Sequence, residues 1–135
     1  VKGGYNFGVI DLGLAYEKMT YKSAAGDCGG TGSAVAIAFP VATGAVRGSW
    51  SKASDLNDPG CGAVAGNNGA TQVNIGYEHR FSKRTQVGIG YARIDNDTAG
   101  VHNWTGLPTN SGGAANGPVA GQDIRVISLN MVHRF

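Results

Sequence analysis

Nine polar residues fall in one phase of alternating runs: Asp11 and Glu17 early in the chain, Arg47 further on, Gln72, Asn74, Glu78 and Arg80 near the middle, and Asn130 and Arg134 at the end. Side chains two apart on an extended chain share a face, so each run gathers its carboxylates, guanidiniums and amides on one side. Such a face can screen, bind or conduct ions. With three acidic and three basic members it shows no preference of sign, whereas a selective ring needs one sign to dominate. Glu78 and Arg80 have a second reading, as ion-pair partners of neighbouring strands that only brace the wall. Covalent chemistry is less well supplied. Glu17 and Glu78 could suggest the carboxyl pair of a glycosidase, but they lie in separate runs with no pocket between them. The three histidines, His79, His102 and His133, are far apart, and Cys28 and Cys61 lack metal-site spacing, so neither a metal nor a cofactor is expected. His102 and Trp104 lie in a long loop and, without a further ligand residue, read as loop residues. Gly88-Ile89-Gly90 sits inside a strand-like run with no helix after it, unlike a phosphate loop. No nucleophile, base and pocket come together, and the chain is read as a non-enzyme.

The elements that must position these residues are strands. Residues 71–95, TQVNIGYEHRFSKRTQVGIGYARID, form two alternating runs around a polar turn at Ser82-Lys83-Arg84. Pairing Phe81 with Thr85 sets His79 opposite Val87, Tyr77 opposite Ile89 and Ile75 opposite Tyr91. One face is then almost wholly apolar, and the other carries Gln72, Asn74, Gly76, Glu78, Arg80, Gln86, Gly88, Gly90 and Ala92. A soluble sandwich also alternates, but it needs bulky aliphatic residues on a facing inner surface, and none are offered. A barrel wall with lipid outside and water inside fits the pattern.

Along the rest of the chain the same alternation recurs. Tyr5 and Phe7 lead into a two-residue Gly8-Val9 turn of the type II′ kind, followed by a strand to about Tyr21 with Ile10, Leu12, Leu14 and Tyr16 on one face. Residues 22–32 are expected to be a Gly-rich loop holding Cys28. A strand follows from about Ser33 to Phe39, ended by Pro40, then a turn at 40–43 and a strand from Gly44 to about Lys52. A loop at 54–69 carries Cys61. After the central hairpin come a loop at 96–121 and a last strand from about Gln122 to Phe135, with Leu129 and Met131 outward and Asn130 and Arg134 inward. The inward run of Ala34, Ala36 and Ala38 with Gly13, Ala15, Gly76, Gly88 and Gly90 leaves space, either to widen a lumen or to seat a loop.

Short connections at 8–9, 40–43 and 82–84 alternate with long ones at 22–32, 54–69 and 96–121. In an up-and-down meander this puts the tight turns on one rim and the long loops on the other, the asymmetry of outer-membrane barrels. Phe7, Phe39, Phe81 and Phe135 all fall at the tight-turn rim; Tyr16, Tyr21, Trp50 and Tyr91 lie toward the other, giving the two aromatic belts a bilayer selects. Composition agrees: 23 glycines in 135 residues, only 15% charged residues, and no apolar run of helix-spanning length. The balance of 11 basic to 9 acidic residues is too even for a nucleic-acid surface. The opening VKGGYNFG reads as the end of a strand rather than as a signal peptide.

The strand-SKRT-strand unit from Ala70 to Asp95, the PVATG and YNFGV turns, and the final His133-Arg134-Phe135 resemble the general porins of Gram-negative β-proteobacteria. The resemblance covers essentially all of residues 1–135 and matches the C-terminal part of that family. It implies an all-β, antiparallel up-and-down transmembrane barrel, here about six strands plus an N-terminal strand remnant out of a total of about 16. It also implies a homotrimer in the outer membrane, among lipid and lipopolysaccharide, that passes small hydrophilic solutes and ions passively. Phe135 would belong to the signal read by the barrel-insertion machinery. The family's constriction loop has no counterpart in this stretch. An autotransporter-like or adhesion-type barrel, whose long loops do the work, is the alternative. Too few strands are present to close a barrel, so the first and last strands should be open edges and the chain alone should not conduct. Cys28 and Cys61 fall in loops that the meander places on the same rim, and in an oxidising compartment they are expected to form a disulfide, free thiols being the other possibility.

Overall fold

The computed structural model describes residues 1–24, 26–56, 61, 66–103 and 119–135. Seven strands, β1 (Lys2–Asn6), β2 (Asp11–Ser23), β3 (Gly26–Val41), β4 (Gly44–Ala53), β5 (Ala70–Arg80), β6 (Thr85–Asn96) and β7 (Ile124–His133), form one sheet in chain order. Every neighbouring pair is antiparallel. The expected register of the central hairpin is observed, with Tyr77 opposite Ile89 and Ile75 opposite Tyr91. β1 and β7 are the edges of the open sheet.

Among the described residues no second layer covers this sheet. The buried apolar residues among those described are only Cys28, Cys61, Ala70 and Ile94. One groove of about 560 Å³ is lined from Asp11 on β2 to Ser128 on β7, which a sheet achieves only by curling toward that face. The tight turns follow local chemistry. Gly8 takes φ +85° in the two-residue turn closed by the Phe7 N–H donating to the Ile10 carbonyl at 2.9 Å, a conformation glycine adopts without strain. At the next tight turn Ala42 holds φ +44°.

Three sequence expectations need correction. Residues 22–32 are not a loop: β2 continues to Ser23 and β3 begins at Gly26, pairing Tyr21 with Cys28 and Met19 with Gly30. β1 extends along β2 only as far as Ala15, and β4 along β3 only from Gly32, so the ends of β2 and β3 form a two-stranded arm. Its glycines make room for larger neighbours. A methyl group on Gly32 would lie 3.0 Å from Glu17 Cγ, and one on Gly30 3.0 Å from Leu56 Cδ2. The backbone ladder, which needs no side chains, holds the arm where alternation gives no signal. The long-loop rim therefore carries this arm. Pro40 does not end its strand either; it pairs with Ala45, and β3 runs on to Val41. Val41 and Gly44 close a two-residue turn, so the position of Pro40 presents its nitrogen to the β2 side, and β2 has already ended opposite Ala38. A proline is tolerated on such an edge. Tyr21 shares the face of Cys28 and Glu17, not that of Tyr16, because it is an odd number of residues from Tyr16. At the C-terminus regular pairing stops at His133.

Candidate functional site

Residues that face each other across a ladder share a side of the sheet, so the register can be followed across the wall. On the concave face one row runs Asp11, Ala38, Arg47, Gly76, Gly90, Ser128 from β2 to β7. A second runs Gly13, Ala36, Ser49, Asn74, Ala92, Val126, and a third Pro40, Ala45, Glu78, Gly88, Asn130. Gln72 pairs with Ser51, and Glu17 with Gly32. The structure thus brings Asp11, Glu17, Arg47, Gln72, Asn74, Glu78, Arg80 and Asn130 to one face, and Arg134 continues it beyond β7.

These polar groups hold one another. Arg47 and Glu78 form an ion pair at 3.1 Å. Asn74 Nδ2 donates to Ser49 Oγ at 2.9 Å, and Gln72 Nε2 donates to Asn74 Oδ1 at 3.1 Å. Asn6 Nδ2 donates to Asp11 Oδ1. Asn130 lies over Gly88, where an added methyl group would meet its Oδ1 at 2.8 Å. The face is a hydrogen-bonded polar lining with small residues between the charges, and among the described residues no group of His, Cys, Asp or Glu could hold a metal ion.

The other face is apolar and uncovered. Its rows include Leu12, Ile37, Gly48, Ile75, Tyr91, Ile127 and Phe39, Val46, Tyr77, Ile89, Leu129. Leu129 is 79% exposed and Ile127 78%. Leaving one such side chain in water forfeits about 1.5–3 kcal/mol, so this band belongs against hydrocarbon, where the ladder partners of the inner strands β2–β6 satisfy their backbone groups. Toward the arm and long loops the same face turns polar at Lys18, Lys52, Thr71, Arg93 and Arg125, just past Tyr16, Trp50 and Tyr91. At the tight-turn rim the aromatics meet edge to face: Tyr5 with Phe7 at 4.6 Å, His79 with Phe81 at 4.6 Å and His133 with Phe135 at 4.9 Å. Thr85 Oγ1 and His133 Nδ1 share a hydrogen bond at 2.9 Å.

Cys28 and Cys61 are joined, with Cα atoms 4.7 Å apart. Further along β3, Ser54 binds Thr31, its N–H donating to the Thr31 carbonyl and its Oγ accepting from the Thr31 N–H, both at 2.8 Å. His102 contacts the Asn68 carbonyl through Nε2 at 3.0 Å and stays within loop contacts; Trp104 lies outside the described residues.

Arg84 lies in the tight turn between β5 and β6, where the sequence places it, and what sequence reasoning missed is its contact across to the C-terminus. The Arg134 N–H donates to the Arg84 carbonyl at 2.9 Å, one step beyond the Thr85 and His133 pair. Arg84 therefore borders the same groove as Gln86 and Arg134. Counting back two residues from Gln86 was the available signal.

The sequence profile of the Gram-negative porin family matches residues 1–99. Among solved structures, the anion-selective porin from Comamonas acidovorans is similar, with a TM-score of 0.77 and 25% identity, over 98% of this chain and 37% of that one. The chain thus spans little more than a third of the length of that porin. No curated protein matches it.

Proposed function

The chain belongs to the Gram-negative porin family, whose proteins lie in the outer membrane, and from that premise we propose that residues 1–135 are the C-terminal part of a water-filled barrel through which small hydrophilic solutes and ions diffuse. The observation that carries this reading is the inversion of the wall: polar concave side, exposed apolar convex side, and, among the described residues, no core between. Asp11, Glu17, Arg47, Gln72, Asn74, Glu78, Arg80, Asn130 and Arg134 line the water path. Phe7, Phe39, Phe81 and Phe135 lie at the interface on the side of the tight turns, Tyr16, Trp50 and Tyr91 at the opposite interface, among lipid and lipopolysaccharide. Phe135 serves the insertion machinery, and the working assembly is a homotrimer. Catalysis has no part in it.

The similar solved porin is anion-selective. On the concave face here, Lys2, Arg47, Arg80, Arg84 and Arg134 outnumber Asp11, Glu17 and Glu78, which supports the same preference. The test is planar-bilayer recording from the complete barrel that contains this wall, in a salt gradient. The reading predicts stable channels whose reversal potential has the sign of an anion current. Absence of channels from folded, inserted protein would overturn it.

A further inference from the structure

Two pairs of arginines meet along β6 and β7, one within the ladder and one just past its end, and only the first has carboxylates beside it. Arg93 and Arg125 face each other on the convex side. Arg93 is ion-paired there to Asp95 and, at 3.2 Å, to Asp123. Arg84 and Arg134 face each other at the tight-turn rim of the concave side. Arg80 lies opposite Gln86, the residue two beyond Arg84, so the three arginines and Gln86 border one groove. None of the three forms an ion pair among the described residues, and the terminal carboxylate of Phe135 pairs with none of them. Lys83 adds a fourth cation, and together these residues line an open groove of about 820 Å³ that Ser82 and Thr85 also border. The one carboxylate on that groove is Asp11, across the wall on β2 and already bonded to Asn6.

Like charges directly opposite on a ladder are destabilising, and a cluster of them persists where an anion is at hand. Planar guanidinium forks match pairs of oxygens on one small anion better than they match a monatomic ion. We infer that Arg80, Arg84 and Arg134 form a binding site for a small polyvalent oxyanion, of the phosphate or dicarboxylate class, at the tight-turn mouth of the concave face. The placement of this site on a conduction path rests on the porin reading; the site itself rests on the cluster.

Inorganic phosphate is the probe, in two measurements. In the complete barrel held in zwitterionic micelles, phosphate should raise the unfolding temperature saturably. Arg84→Gln and Arg134→Gln should each require about tenfold more phosphate for the same shift, the loss expected for one charge-assisted contact. In bilayers, phosphate added on the tight-turn side should block chloride current at lower concentration than phosphate on the other side, and Arg84→Gln should remove that sidedness. A shift that appears only when phosphatidylglycerol replaces zwitterionic lipid marks a lipid headgroup as the source of the oxyanion; one produced by free phosphate marks a solute. Stabilisation that survives both substitutions unchanged is the general salting effect of phosphate and overturns the site while leaving the porin reading intact. Arg84-dependent stabilisation of a protein that opens no channels supports the site and overturns the porin reading.

Discussion

The two arginine pairs on β6 and β7 are built from the same backbone register, yet one is held by two aspartates and the other by no carboxylate of the described chain. Arg93 lies on the convex side next to the apolar band, opposite Arg125, and its counter-charges, Asp95 and Asp123, are supplied by the protein itself. Arg84 and Arg134 lie at the rim of the concave side, where water and dissolved ions reach them. The contrast shows that a charge on this wall is governed by its face first and its height second.

Substitution midway between the pairs gives the largest expected effect. Leu129 sits on β7 in the apolar band, and Leu129→Arg should cost about 2–4 kcal/mol of stability or block insertion, as for a cation near the middle of a bilayer. Its neighbour Asn130 faces the other way, and Asn130→Arg should leave stability nearly unchanged; equal losses from the two, measured by urea titration in vesicles, would break the distinction between faces. Next, the double variant Asp95→Asn, Asp123→Asn removes the built-in counterions and should lower the unfolding temperature, by less than Leu129→Arg does. Arg84→Glu should act in the opposite sense, turning a like-charge pair into an ion pair and raising stability by about 0.5 kcal/mol. The smallest effect is that of salt. Raising NaCl toward 1 M, where the screening length falls to about 3 Å, should weaken the balanced pair and relieve the unbalanced one, so that the Arg84→Glu gain shrinks.

Most of the strand order was legible because lipid and water demand opposite chemistry at alternate positions, and the central hairpin shows this from Val73 to Tyr91. The register followed from one turn, since Phe81 and Thr85 leave a single in-phase pairing. The arm was not legible. Gly26, Gly29, Gly30 and Gly32 carry no side chains to alternate, and what holds them is backbone pairing to β2. Pro40 misled for a related reason: whether its missing N–H matters depends on where the neighbouring strand ends. That Arg84 and Arg134 meet was hidden because one lies in a turn and the other at a strand end far along the chain, and only the structure brings them together.

The bond between Cys28 and Cys61 links the arm to the segment that follows β4. Cys28 reaches its partner from one face of β3, and a slip of that strand by a single residue would carry it to the opposite face. Oxidation can therefore close only on a hairpin in the right frame. Chains alkylated before insertion should show the bridge in those that go on to assemble and free thiols in those that stall. The bridge then works as proof-reading, a covalent record that β3 was counted correctly before lipid made the count irreversible.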